Sequence, residues 1–136
     1  DLGDMEDVHP VDKTIFAQRA AEVTLHHFFG METQPYPTIE KAAKTENNTV
    51  VLTLNGADGL ELRNGKNGFQ YSTNGASFDD VSSVTVEGNC LTITAAGEIK
   101  ALRYGVKNSV AENAPAKQVT VFNAYDKPLD QFEIEF

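Results

Sequence analysis

Val84-Thr85-Val86-Glu87-Gly88-Asn89-Cys90-Leu91-Thr92-Ile93 alternates apolar and polar residues on both sides of a Gly-Asn pair. A period of two places Val84 and Val86 on one face and Thr85 on the other, and the same holds for Leu91, Thr92 and Ile93. Two such runs joined by a short glycine turn predict an antiparallel β-hairpin. It is the cleanest hairpin in the chain.

Outward from it the same grammar repeats. Residues 39–44 and 49–54 flank Asn47-Asn48 and read as strands. Asn55-Gly56 and Asp58-Gly59 are turns, and Leu60-Glu61-Leu62 alternates. Asn64-Gly65 and Asn67-Gly68 break the chain before a strand at 69–72, and Asn74-Gly75 makes a hairpin turn. Further strands are expected at 99–106, 118–122 and 132–136. About eight short strands with no helix among them predict a mainly β fold, an antiparallel β-sandwich or jelly roll. Residues 39–136 suffice for one two-sheet core.

The period changes upstream. Residues 13–29 place Phe16, Ala20, Val23 and His27 on one helical stripe, with Ile15, Arg19, Glu22 and His26 on a more polar neighbouring row. Asp12 is the expected N-cap, and Gly30 the expected stop. Phe16, Val23, Phe28 and Phe29 call for a partner surface, each worth about 1.5–3 kcal/mol when fully buried. Residues 31–38, with Pro35 and Pro37, read as a linker.

The 136 residues carry a formal net charge of -9, with 40% hydrophobic and 23% charged residues. That balance is globular. The acidity argues against nucleic acid, which needs a basic stripe to displace counterions. No apolar run reaches about 18 residues, so no membrane insertion is expected, and no signal peptide is visible. Cys90 is a lone cysteine, read as a small buried hydrophobe. The adjacent His26 and His27 diverge on a helix and cannot chelate one metal from one face, and His27 reads as a satisfied buried histidine. Asp58, Asp79 and Asp80 read as turn residues without the ligand density of a calcium loop. No metal or other cofactor is expected.

Chemistry enters at the start of the chain. In Gly3-Asp4-Met5-Glu6-Asp7-Val8-His9-Pro10 a histidine sits among carboxylates just before the helix. Such a histidine is a candidate general base, with an acid to orient its ring. Pro10 biases His9 away from helical geometry. A nucleophile is missing: Ser72, Ser77, Ser82, Ser83 and Ser109 sit in no Gly-x-Ser-x-Gly elbow or comparable strand-turn-helix setting.

The pattern Gly-Asp-x-x-Asp-Val-His-Pro, followed by Asp12-Lys13 and Ala17-x-Arg19, resembles the last catalytic block of bacterial sialate O-acetylesterase-like enzymes of the SGNH hydrolase superfamily. That block usually reads Asp-Ile-His-Pro, Asn/Asp-Lys, then Gly/Ala-x-Arg. Residues 101–108, Ala-Leu-Arg-Tyr-Gly-Val-Lys-Asn, are similar to the family's Val-Arg-Tyr-Ala-Trp-x-Asn segment. Val121-Phe122-Asn123 and the 127–132 stretch are similar to its Leu-Tyr-Asn and Gly-Leu-Pro-x-x-Pro-Phe ending. Residues 36–98 agree only as strand-rich sequence.

The resemblance implies a C-terminal fragment of a carbohydrate (sialic acid-type) O-acetylesterase, acting on an O-acetylated sugar through a serine outside this chain. The lack of an initiator methionine fits that expectation. Residues 1–34 would be the end of the SGNH α/β hydrolase domain, with its catalytic histidine block and final helix. Residues 35–136 would be a β-sandwich accessory domain. His9 would be the base, with Asp7 or Glu6 as its orienting acid. The missing N-terminal hydrolase portion would be its partner, and the compartment periplasmic or secreted. The chain alone is then expected to be inactive. The alternative is a non-catalytic β-sandwich that binds carbohydrate or protein. Its stacking platforms would come from Phe69, Tyr71, Phe78, Tyr104, Phe122 and Tyr125, although core packing is the simpler reading of these rings.

Overall fold

The computed structural model describes residues 13–63, 65–106 and 119–136. Helix α1 (Thr14–Phe29) is followed by ten strands: β1 (Thr38–Glu46), β2 (Thr49–Asn55), β3 (Glu61–Leu62), β4 (Phe69–Ser72), β5 (Asp79–Asp80), β6 (Ser83–Glu87), β7 (Cys90–Thr94), β8 (Ala101–Tyr104), β9 (Val121–Phe122) and β10 (Phe132–Glu135). One sheet runs β1-β2-β7-β6, a second runs β10-β8-β4-β5, and β3 pairs with β9. Every pairing is antiparallel.

The expected hairpin is β6–β7. Val84 lies opposite Ile93, Thr85 opposite Thr92 and Val86 opposite Leu91. Gly88 turns it with φ 60°, a conformation that glycine adopts without strain. β2 carries the same alternation into the interior, with Val50, Leu52 and Leu54 buried. The two large sheets close on one core of Leu52, Leu91 and Ile93 from the first and Phe69, Leu102 and Tyr104 from the second. This is the mainly β, antiparallel two-sheet fold that the alternation predicts.

β4 departs from alternation: all four of its residues are buried. The reason is a cover on its outer face. The Arg103 guanidinium donates to Gln70 Oε1 at 2.9 and 3.1 Å and lies 3.9 Å over the Phe78 ring. Ser72 Oγ receives the N–H groups of Asn74 and Gly75, folding the 73–78 loop back across the sheet.

Several expectations are corrected. Asp79 and Asp80 form β5, paired with Tyr71 and Gln70, rather than a turn. β8 is shorter than expected because Ile99, although fully buried, sends its N–H to Asn47 O, and Gly105 turns at φ 70°. Cys90 is only half-buried, with its Sγ near Thr53 Oγ1 and Asn89 Oδ1. The 31–37 stretch is not a free linker. Pro37 is buried, and Pro35 O accepts a hydrogen bond from Asn123 Nδ2 at 2.8 Å.

The helix ends as expected. Gly30 adopts φ 63° and its N–H returns to His26 O. Its N-cap position is Lys13, which makes no side-chain cap, and Asp12 lies outside the described residues. Its docking face is the surprise. No helix residue is buried. Ile15, Arg19 and Glu22 are half-buried, whereas Phe16, Val23 and Phe28 are 62%, 56% and 75% exposed. The polar row meets the β body, and the neighbouring apolar stripe stays largely exposed along a groove bordered by Tyr36 and Asp130. His27 goes with the stripe: it is exposed, edge-on to Phe28, and not the buried histidine expected.

Candidate functional site: the junction of α1 with the 123–127 turn

His9, Asp7 and Glu6 lie outside the described residues, as does Ser109. The remaining serines have structural partners or edge positions. Ser72 and Ser77 both bond to Asn74, Ser82 N bonds Thr94 O, and Ser83 begins the edge strand β6. Among the described residues no group of three or more His, Cys, Asp or Glu side chains could hold a metal. No described helix is long and apolar enough to cross a membrane.

The built feature is the place where α1 meets the β body. It begins with Tyr104 at the end of β8. Its ring stacks on Phe132, centroids 5.7 Å apart, and packs on Phe69 at 4.4 Å. Its fully buried hydroxyl accepts the N–H groups of Thr120 at 2.7 Å and Val121 at 3.0 Å. Burial pushes the phenol above its ordinary pKa, against the opposing pull of those two N–H bonds. The start of β9 is thereby tied to β8 of the second sheet.

β9 leads into a turn organised by Asn123, which is 1% exposed. Its Nδ2 donates to Pro35 O and Gly56 O, and its Oδ1 accepts from the N–H groups of Tyr125 and Lys127. Both ends of the amide are thus satisfied, as burial demands. Asp126 takes φ 58° at the tip, a conformation tolerated by Asp. Arg63 reaches across from the end of β3, pairing with Asp126 and Glu61 while lying 4.0 Å over the Phe122 ring. The Asp126 hydrogen bond raises the Arg63 pKa further, opposed in part by burial and aided by Glu61.

This turn grips the helix. Arg19 donates to the Asp126 carbonyl at 3.2 Å, and Lys127 Nζ forms an ion pair with the Glu22 carboxylate. Lys127 is 7% exposed and its ammonium lies 5.4 Å from the Tyr36 ring centroid. His26 Nδ1 donates to Met31 O at 3.1 Å, tying the helix end to the segment that follows. Arg19, Glu22 and His26 belong to one helical row, so the polar row predicted from the sequence is the docking row. The partners of Arg19 and Glu22 stand about a hundred residues away, so no local pattern marks this role.

Beside the grip the helix leaves a groove of about 640 Å³, lined by Phe16, Arg19, Ala20, Val23, Thr24, Tyr36 and Asp130. A smaller one of about 330 Å³ adjoins it at Val23 and Tyr36 and includes His26 and His27. The walls are largely apolar on the helix side and suit an apolar surface more than a reacting group. Phe69, Tyr71, Tyr104 and Phe122 are buried and Phe78 is held by Arg103, leaving Tyr125 as the exposed one of the six rings considered.

No protein-family model matches the chain, and no curated protein does. Among solved structures, the fold is similar to that of a carbohydrate acetylesterase from Xanthomonas citri, with a TM-score of 0.80 at 21% identity. The match covers 99% of this chain and 31% of that one. The helix and the β body therefore recur together in that structure, and the chain spans about a third of its length.

Proposed function

We propose that this chain is the C-terminal part of a carbohydrate O-acetylesterase. The observation that carries the reading is the fold likeness to the Xanthomonas citri acetylesterase across helix and β body alike. The Gly3-to-Pro10 block with His9 supports it from the sequence. Residues 1–34 would complete a hydrolase domain of SGNH type, and residues 35–136 its β-sandwich accessory domain. The exposed apolar side chains of Phe16, Val23 and Phe28 support this division, because the remaining hydrolase polypeptide would supply the apolar surface that covers them. The greater length of the solved relative argues for that occupant.

In the proposed reaction a serine from the hydrolase portion attacks the acetyl carbonyl. His9 takes the serine proton and passes it to the departing sugar hydroxyl, leaving an acetyl-serine. Water, deprotonated by the same ring, releases acetate. Asp7 or Glu6 holds the other ring nitrogen. A sialic acid-type sugar is the proposed substrate, on the resemblance of the histidine block. The binding-module alternative loses its main support, because the strand aromatics that would stack on a sugar are mostly in the core.

The test is hydrolysis of O-acetylated sugars by the full-length protein and its His9→Ala variant. The variant is expected to lose about 10³-fold or more in kcat. The 136-residue chain alone is expected to leave p-nitrophenyl acetate intact. Hydrolysis by that isolated chain, or full activity in His9→Ala, would overturn the proposal.

A further inference from the structure

We infer that Lys127 is a positioning residue, which sets the rotation and axial position of α1 through its ion pair with Glu22; the inference rests on the esterase function proposed above. An apolar face would have been the ordinary way to dock this helix, and the chain has one in Phe16, Ala20 and Val23. It is left largely exposed beside a groove instead of being packed against the β sheets. Directional contacts join the helix to the β body, among them Lys127 to Glu22 and Arg19 to the Asp126 carbonyl, while His26 bonds the Met31 carbonyl just past its C-terminal end. Apolar contacts tolerate sliding, whereas charge-assisted hydrogen bonds specify an orientation.

Lys127 itself is built in from every side. Its backbone N–H is bonded to Asn123 Oδ1, its carbonyl accepts the Asn123 N–H, and its ammonium sits over Tyr36. A nearly buried lysine is a poor choice for stability, since an apolar side chain of similar volume commonly serves as well or better. A buried ion pair is better suited to fixing one arrangement among several. The segment after the helix is equally constrained, with Pro35 bonded to Asn123 and Pro37 buried. The β body is therefore a chassis for α1 and not a module on a flexible tether. In the esterase, α1 leads directly from the His9 block into the covered apolar stripe, so its orientation governs how both are presented to the rest of the hydrolase.

The test uses the full-length protein carrying Lys127→Met, Glu22→Gln, or the exchange Glu22→Lys with Lys127→Glu. For Lys127→Met and Glu22→Gln, kcat on an O-acetylated sugar is expected to fall about tenfold or more with KM within about twofold. The thermal midpoint is expected to stay near that of the wild type, and the exchange variant to recover most of kcat. Amide hydrogen exchange over 14–29 is expected to accelerate in the two single variants while β2 and β7 stay protected. Unchanged exchange in α1 overturns the lock, whatever the activity. Loosened α1 with unchanged kcat overturns the positioning role, and so does a parallel fall of kcat and thermal midpoint that the exchange variant does not reverse. A wild-type protein without esterase activity overturns the proposed function and the positioning role together. That outcome is distinguishable, because the exchange measurement still reads the lock.

Discussion

The side-chain amide of Asn123 donates to the carbonyl of Pro35 at 2.8 Å, joining two residues 88 positions apart. Through this bond the turn that grips the helix also grips the segment leaving it. With its second donor bond, to Gly56 O, Asn123 brings three stretches of chain together around a side chain that is itself almost fully buried.

Replacing Asn123 tests that role. Asn123→Ala removes the partner of two carbonyls and two N–H groups, of which the Lys127 N–H is buried, and about 1–3 kcal/mol of unfolding free energy should be lost. Asn123→Asp keeps the acceptor for Tyr125 and Lys127 but turns an acceptor toward Pro35 O and Gly56 O. It should also destabilise the fold, and urea denaturation followed by circular dichroism measures both.

Tyr104 gives a pH prediction. Its phenol is raised above the ordinary value by burial, so the folded state favours the neutral form. In the unfolded chain it ionises near its ordinary value of 10.0. The Tyr104 contribution is therefore complete below that pH and is lost as pH rises through the folded-state pKa. Tyr104→Phe should cost about 1–3 kcal/mol at neutral pH, because the Thr120 and Val121 N–H groups lose their acceptor. The same variant should fall less steeply in stability above pH 10 than the wild type, which denaturation at a series of pH values would show.

Gly56 sits close against the segment that follows the helix. It holds φ 63°, and an added Cβ would stand 2.6 Å from Tyr36 O. Gly56→Ala should therefore cost about 1–3 kcal/mol from the backbone alone, with the clash in addition. Its effect should centre on the 31–37 segment, read as faster proteolysis there than in β2 or β7.

The outward stripe of α1 makes an opposite prediction. In the 136-residue chain Phe16→Ser and Val23→Ser remove exposed side chains and should change stability by no more than about 0.5 kcal/mol. Both should reduce self-association, measured by light scattering. In the full-length protein the same changes should be several-fold more destabilising, because the stripe would there be covered.

Local rules carried the reading of the secondary structure where the signal is local. The helix was legible to within one residue because its period and Gly30 lie in one short window. The β6–β7 hairpin was legible because its two strands are separated by Gly88-Asn89 alone. β5 and β9, each two residues long, were misread or overextended because pairing with a distant strand defines them and alternation does not. Of the candidate chemistry, His9, Asp7 and Glu6 were legible as a motif and lie outside the described residues. The helix grip was not legible at all.

Periodicity, turn residues and charge thus settle that a helix precedes an antiparallel two-sheet body, since each depends on neighbours along the chain. Which face of the helix turns inward was decided by Asp126 and Lys127 meeting Arg19 and Glu22 across 107 and 105 residues. Hydrophobicity alone would have turned the neighbouring stripe of Phe16, Ala20 and Val23 inward. Partners so remote are brought together only by the completed fold, and nothing in the local pattern of α1 records them.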